Sequence, residues 1–204
     1  MSEIHPTLVR ELRDRSGAGI MDCKRALTET SGDLEEALVS LRKKGLAAAA
    51  KKAGRTAADG TVTSYIHAGG KIGVLVEVNC ETDFVARTDD FQNLSREIAM
   101  QIAAASPQFV RREDVPAAMV ERERAIYREQ AAGTGKPAAV IEKIVDGKLE
   151  KYFADTCLLE QPYIKDPDKS LGQLITDTVS RIGENIVVRR FARFQLGEQS
   201  TSES

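Results

Sequence analysis

Over residues 1–45 the apolar positions recur every three to four residues. Leu8, Val9 and Leu12 share one side of a first segment, which Thr7 can cap. Ser16-Gly17-Ala18-Gly19 interrupts the pattern, and a second helix is predicted from Ile20 or Met21 to Thr28. Asp33 with Glu36 three positions on forms a capping-box pair. The helix behind it places Leu34, Ala37, Leu38 and Leu41 on one face, with Gly45 as its expected stop. Three helices with one apolar face each predict a small bundle, near the lower size limit for independent folding. Residues 46–60 are rich in Ala, Lys and Gly and predict a partly helical linker.

The period then changes to two. Val62, Ser64 and Ile66 alternate with Thr63, Tyr65 and His67, Gly69-Gly70 signals a turn, and Ile72, Val74, Val76 and Val78 alternate beyond it. This predicts a β-hairpin. A loop from Asn79 to Thr88 leads into a helix over Asp89–Ala105, with Phe91, Leu94, Ile98 and Ile102 on one stripe and Pro107 as its limit. Pro116 and Pro137 can open two further helices. The first carries Met119, Val120, Ile126 and Tyr127; the second carries Val140, Ile141, Ile144, Val145, Leu149, Tyr152 and Phe153. An irregular stretch over 158–170 precedes a short helix, Leu171–Ile182, and a β-rich segment, Ile186–Leu196. A hairpin, several helices and a late strand exclude a doubly wound parallel sheet. They predict an α+β fold: a three-helix module at 1–45, a linker at 46–60, a core domain at 61–196 and a polar tail at 197–204. In the core domain a small antiparallel three-stranded sheet is covered by helices, and its other face or its edge is a candidate for self-association.

Composition agrees with a folded chain. The 204 residues are 42% hydrophobic and 29% charged, with 6 Pro and no Trp. No stretch approaches the roughly 20 apolar residues of a membrane span, and Met1-Ser2-Glu3-Ile4-His5-Pro6 lacks the sections of a secretory signal. The net charge of −2 argues against general nucleic-acid binding, which favours basic chains. The charge is unevenly spread. Residues 1–55 hold 11 basic and 8 acidic residues, whereas 56–204 hold 18 and 23. Arg42, Lys43, Lys44, Lys51, Lys52 and Arg55 form a run without an acid. It reads either as a contact to RNA or an acidic partner, or as a solvated helix end.

Candidate chemistry is sparse. Cys23, Cys80 and Cys157 are widely spaced and His5 and His67 are the only histidines, so a metal site is hard to assemble. The thiols read as reduced and buried, with a disulfide between subunits, through Cys157 or another cysteine, left open. No G-x-x-x-x-G-K-[ST], G-x-G-x-x-G or G-x-S-x-G pattern is present. A Cys80–His67 pair is conceivable as nucleophile and base but nothing in the pattern brings the two together. Asp89-Asp90 and Glu35-Glu36 read as helix starts. The unusual segment is Glu77-Val78-Asn79-Cys80-Glu81-Thr82-Asp83-Phe84-Val85-Ala86-Arg87, where a buried-looking strand runs out into an acid followed by a large aromatic. On composition alone, Asp83 caps a short turn and Phe84 is core, since most Phe side chains are buried. The alternative is an acid and an exposed ring aimed at a partner.

Two stretches carry a family resemblance. Leu12-Arg13-Asp14-Arg15-Ser16-Gly17-Ala18-Gly19-Ile20-Met21-Asp22-Cys23-Lys24-Arg25-Ala26-Leu27 resembles the N-terminal pattern of bacterial translation elongation factor Ts, with Ser16 where that family usually has Thr. Thr82-Asp83-Phe84-Val85 resembles the family's most specific tetrapeptide. The likeness continues through Gly135-Lys136-Pro137 and Leu159-Glu160-Gln161-Pro162 to near Leu196. It implies a ubiquitin-associated (UBA)-like N-terminal module and a core domain on an antiparallel sheet. Longer members carry two core subdomains; this chain has the length for one, which implies a homodimer joined through the core sheets.

The implied activity is guanine nucleotide exchange on elongation factor Tu, met in its GDP and nucleotide-free forms in the cytoplasm, by binding and without enzymatic chemistry. The resemblance gives Thr82, Asp83, Phe84 and Val85 the role of disturbing the partner's Mg²⁺ and phosphate site. It gives Leu12, Gly19, Ile20 and Met21 a docking role. No cofactor, metal, membrane or direct nucleic-acid contact is implied for the chain itself. The competing readings are a UBA-like ubiquitin- or protein-binding adaptor, which has no use for Thr82–Val85, and an RNA- or ribosome-associated protein using the Arg42–Arg55 run.

Overall fold

The computed structural model describes residues 4–133 and 136–198. Gly135 and most of the tail expected at 197–204 lie outside the described residues. The chain forms two units, each interleaved along the sequence. One comprises Met1–Thr61, Val78–Leu94 and Leu174–Val187, the other Val62–Glu77, Ser95–Gln173 and Val188–Ser204.

The first unit opens with three helices: α1 (Pro6–Ser16), α2 (Ile20–Glu29) and α3 (Leu34–Lys52). His5 rather than Thr7 caps α1. Its Nδ1 accepts from the Thr7 backbone N–H at 3.4 Å, and Pro6, which has no N–H to satisfy, takes the first helical position. Gly17, at φ 67, ends the helix in the left-handed conformation. Asp33 caps α3 as expected, with Oδ1 accepting from the Glu36 N–H at 2.8 Å. The shared core is Leu12, Cys23, Ala26, Leu27 and Ala37, with Ile4, Leu8, Val9, Leu34, Leu38 and Leu41 packed around it.

Gly45 is not the stop of α3. The alanines at 47–50 favour helix and Lys51 and Lys52 suit its C-terminal end, so the helix runs on to Lys52 through nearly half of the expected linker. Gly45 answers a different need. A Cβ there would lie 2.8 Å from Ser180 Oγ on α8 (Leu171–Ile182), so the glycine permits close approach of the two helices. Beyond it, Leu46, Ala49, Ala50 and Ala53 line a shallow apolar groove with Ile175, Val179 and Ile186.

The strands are β1 (Asp59–Ile66), β2 (Ile72–Cys80), β3 (Pro162–Tyr163), β4 (Asp166–Ser170) and β5 (Val187–Gln195). β1, β2 and β5 form an antiparallel sheet in that order, the α+β arrangement expected. The β1–β2 turn is closed by the His67 N–H on Ile72 O at 2.9 Å, with Gly69 and Gly70 at positive φ. At the other end of β1, Gly60 sits at φ 139, where a Cβ would meet Val78 O at 2.1 Å. In the second unit one face of the sheet is inward, with Val74, Val76 and Val188 buried. The C-terminal half of α5 (Asp89–Ala105) buries Ile98, Ala99 and Ile102, and the Arg193 guanidinium on β5 donates to Ala103 O at 3.4 Å. The other face leaves Val62, Ile66, Leu75, Phe194 and Leu196 exposed.

The rest of the second unit is a helical hairpin and a short ribbon. α6 (Ala117–Ala132) and α7 (Ala138–Thr156) are laced by Arg128–Glu142 at 2.8 Å and Arg124–Asp146 at 3.1 Å. The stretch expected to be irregular contains the antiparallel β3–β4 ribbon. Its inward Gln161 is buried, receiving from Gln101 and donating to the carbonyls of Ala105 and Asp155.

Candidate functional site

The end of β2 delivers the chain into a single helical turn, α4 (Asp83–Ala86). Thr82 caps it in extended geometry, its Oγ1 accepting from the Val85 N–H at 3.4 Å. Val85 O in turn accepts from the Thr88 hydroxyl at 2.8 Å, and Ala86 O from the Gln92 side chain at 2.6 Å, so the turn is bonded on both sides. Ala86 is buried and anchors it. Asp83 and Val85, on either side of position 84, are partly covered. Phe84 projects outward and is 81% exposed. The composition-based reading of Phe84 as core is therefore corrected: burial of Ala86 and the Thr82 cap set the turn so that position 84 points to solvent. Asp83, beside it, is held by Arg87 one turn on, at 2.9 Å.

Glu81, Glu184 and Asn185 complete the site, and the sequence pattern did not single out Glu184 or Asn185. Glu184 Oε2 accepts from the backbone N–H groups of Glu81 and Thr82 at 3.1 and 3.0 Å, and Oε1 accepts from the Thr82 hydroxyl at 2.7 Å. The Asn185 N–H donates to Glu81 Oε1 at 2.7 Å. These partners are more than 100 residues apart in sequence, so no local signal could have pointed to them; only a glycine turn at Gly183, φ 92, marks the place.

Cys80 is buried at the base of the turn with its Sγ donating to Thr82 O at 3.1 Å. Burial, with the Glu184 charge behind it, pushes the thiol up to about 11. That is the reverse of an activated nucleophile. His67 is exposed and bonded to the Tyr65 hydroxyl at 3.1 Å. Among the described residues no group of three or more His, Cys, Asp or Glu could hold a metal ion.

The predicted residues of the N-terminal module divide. Ile20 and Met21, in the first turn of α2, are 55% and 75% exposed, and Gly19 precedes them as the extended N-cap. Leu12 is 0% exposed at the centre of the helical core. Its place in the docking set is corrected: α1 uses this leucine, the fully buried one of its two, for packing, and no side-chain surface remains for a partner.

The site is thus a bonded turn that presents an acid and a bare aromatic ring to solvent. Comparison with known proteins gives the chain its family. Residues 20–198 match the family model described as "Elongation factor TS". The chain is 66% identical over 190 residues to the elongation factor Ts of Geobacter sulfurreducens, covering 93% of this chain and 88% of that one. It is 63% identical over 191 residues to that of Carboxydothermus hydrogenoformans, covering 94% and 88%. With that of Desulforamulus reducens it shares 59% over 198 residues, covering 97% and 91%. The chain belongs to the elongation factor Ts family, and with it to the factors of translation elongation.

Proposed function

We propose that this chain is a guanine nucleotide exchange factor for elongation factor Tu, releasing GDP by disturbing the partner's Mg²⁺ and phosphate site. A GTPase holds its nucleotide through backbone donors of the phosphate loop and through a Mg²⁺ ion bridging phosphate oxygens. A factor that binds the nucleotide-free state more tightly than the GDP state weakens GDP by the same ratio. A thousandfold weakening corresponds to about 4 kcal/mol. Moving one aromatic side chain from water into a pocket contributes about 1.5–3 kcal/mol. A single rigid ring, helped by one charge, is thus of the right size for the task.

The observation that carries this reading is the exposure of Phe84 on a turn bonded from both sides. An apolar ring kept in water gains its transfer free energy only on reaching a partner. Asp83 adds a negative charge beside it, and release from Arg87 would free that charge to act near the partner's cation. Thr82 and Val85 shape the turn. Gly19, Ile20 and Met21 form the second contact, on a module we assign to the UBA-like class. The exposed sheet face of Val62, Ile66, Leu75, Phe194 and Leu196 is assigned to a second copy of the chain, giving a homodimer. The Mg²⁺ belongs to the GTPase, and the protein operates in the cytoplasm, where translation runs, with no cofactor of its own.

The test is release of fluorescent GDP from elongation factor Tu. Phe84→Ala is expected to slow factor-stimulated release roughly tenfold or more, with circular dichroism and melting temperature unchanged. A variant that stimulates release as well as the parent would remove the wedge role.

A further inference from the structure

A carboxylate far away in sequence holds the acid–aromatic turn in place. Glu184 lies between α8 and β5, 102 residues from Thr82. One carboxylate takes the two consecutive N–H groups of Glu81 and Thr82 on Oε2, at 3.1 and 3.0 Å, and the Thr82 hydroxyl on Oε1, at 2.7 Å. The same hydroxyl oxygen is the acceptor that caps α4 at Val85. The chain is tied in return, because Asn185 donates its N–H to Glu81 Oε1 at 2.7 Å. Asn185 is buried, and its Nδ2 reaches the carbonyls of Arg55 at 2.8 Å and Ala53 at 3.3 Å. The end of α3, the exit of β2 and the start of β5 are thereby closed into one clasp around the turn.

We propose that Glu184 is a positioning residue for nucleotide exchange. It fixes the direction in which Asp83 and Phe84 leave the sheet. This rests on the exchange reading above. A solvent-exposed phenyl ring on a four-residue turn has an alternative available to it, which is to fold back onto its own chain. Backbone bonds to an ionised acceptor are stronger than neutral ones and hold the turn against that collapse. A ring already in its bound direction loses less conformational freedom on docking, and a small error in its placement is costly in rate. Glu184 touches neither nucleotide nor metal in this account; it acts through Thr82.

The experiment separates maximal exchange rate from affinity. Glu184→Ala is expected to lower the maximal rate of fluorescent GDP release at saturating factor by about tenfold, with the half-saturating concentration within about threefold of the parent. Glu184→Gln keeps an acceptor oxygen for the backbone N–H groups and is expected to recover a large part of that loss. The chain has no Trp, so Phe84→Trp introduces a single indole reporter. Time-resolved anisotropy in that background should show a larger amplitude of local motion when Glu184→Ala is added. Full maximal rate in Glu184→Ala, together with slow release by Phe84→Ala, overturns the positioning role and leaves the wedge reading standing. Normal rates in both variants remove the exchange reading itself. A glutamine variant as slow as the alanine one, or a defect confined to the half-saturating concentration, also overturns the proposal. Should Glu184→Ala not fold, Thr82→Val, which deletes only the hydroxyl link, decides: a reduced maximal rate supports the role and an unchanged one rejects it.

Discussion

Leu12→Ala separates packing from docking in the N-terminal module. Leu12 is fully buried, so truncation forfeits the whole transfer term of the lost isopropyl group and leaves a hole. Its neighbours in the core include Ala26 and Ala37, whose side chains cannot swing in to refill the space. The cost therefore belongs in the upper part of the usual range, about 3–5 kcal/mol. A segment of this size has roughly 3–7 kcal/mol of stability to lose. The module should open locally without unfolding of the rest. Hydrogen exchange with mass spectrometry reads this directly: amides of α1–α3 should exchange roughly a hundredfold faster or more, while the buried stripe of α5 keeps its protection. Met21→Ala is the counterpart. Its side chain is 75% exposed, so stability should move by no more than about 0.5 kcal/mol while affinity for elongation factor Tu falls. If Leu12→Ala keeps native protection in α1–α3 and loses partner affinity, the assignment of Leu12 to the core is wrong.

Three further outcomes follow from the structure. Gly60→Ala places a Cβ 2.1 Å from Val78 O at φ 139, and thermal unfolding should report a loss of at least about 3 kcal/mol; a stability within about 1 kcal/mol of the parent contradicts the close approach. In the folded chain the Cys80 thiol ionises only at about 11, against an ordinary 9.0, so the unfolded chain gives up its proton first. Stability is then full below the lower value and drains away as pH rises through the higher one. Urea midpoints should fall between pH ~8 and ~10.5, less so in Cys80→Ala, with Cys157 and Tyr163 pushed up by burial in the same direction; an unchanged midpoint would exclude this. Light scattering of the parent should give twice the 22.3 kDa chain mass, and Leu75→Glu on the exposed sheet face the single mass; a single-mass parent at micromolar concentration refutes the dimer.

Local patterns announced the local elements. The apolar stripe of Phe91, Leu94, Ile98 and Ile102 and its acidic start set α5 at Asp89–Ala105, as the structure has it. The same logic failed at Gly45, because a glycine that ends a helix and one that lets two helices touch look alike until the second helix is placed. It failed for the 158–170 stretch too, where Gln161 and Gln101 organise a ribbon through long-range side-chain bonds rather than through alternation. The segment holding Thr82–Val85 stood out as a strand running into an acid and an aromatic, and the resemblance gave it a role; residue statistics pointed Phe84 inward, since a frequency of burial carries nothing about the geometry of one four-residue turn. Period-two alternation marked β1 but not its orientation. Val62 and Ile66, its most apolar members, face outward, while Thr61, Thr63 and Tyr65 are partly covered. Glu184 and Asn185 left no trace, for their meaning is created only when the chain returns after a hundred residues.

The continuity of α3 through Gly45 has a mechanical side. Its 19 residues make a strut of about 28 Å at 1.5 Å per residue. One end is seated in the three-helix core that displays Ile20 and Met21. Just past the other, Ala53 and Arg55 meet the clasp beneath Phe84. The spacer between the two proposed contact points is therefore a continuous helix with a set phase, not slack tether. Excising a single alanine from the 47–50 run would swing one end about 100° against the other while shortening the strut by only about 1.5 Å. On the proposed reading, the contact through Ile20 and Met21 and the one through Phe84 could then no longer close on the same partner at once.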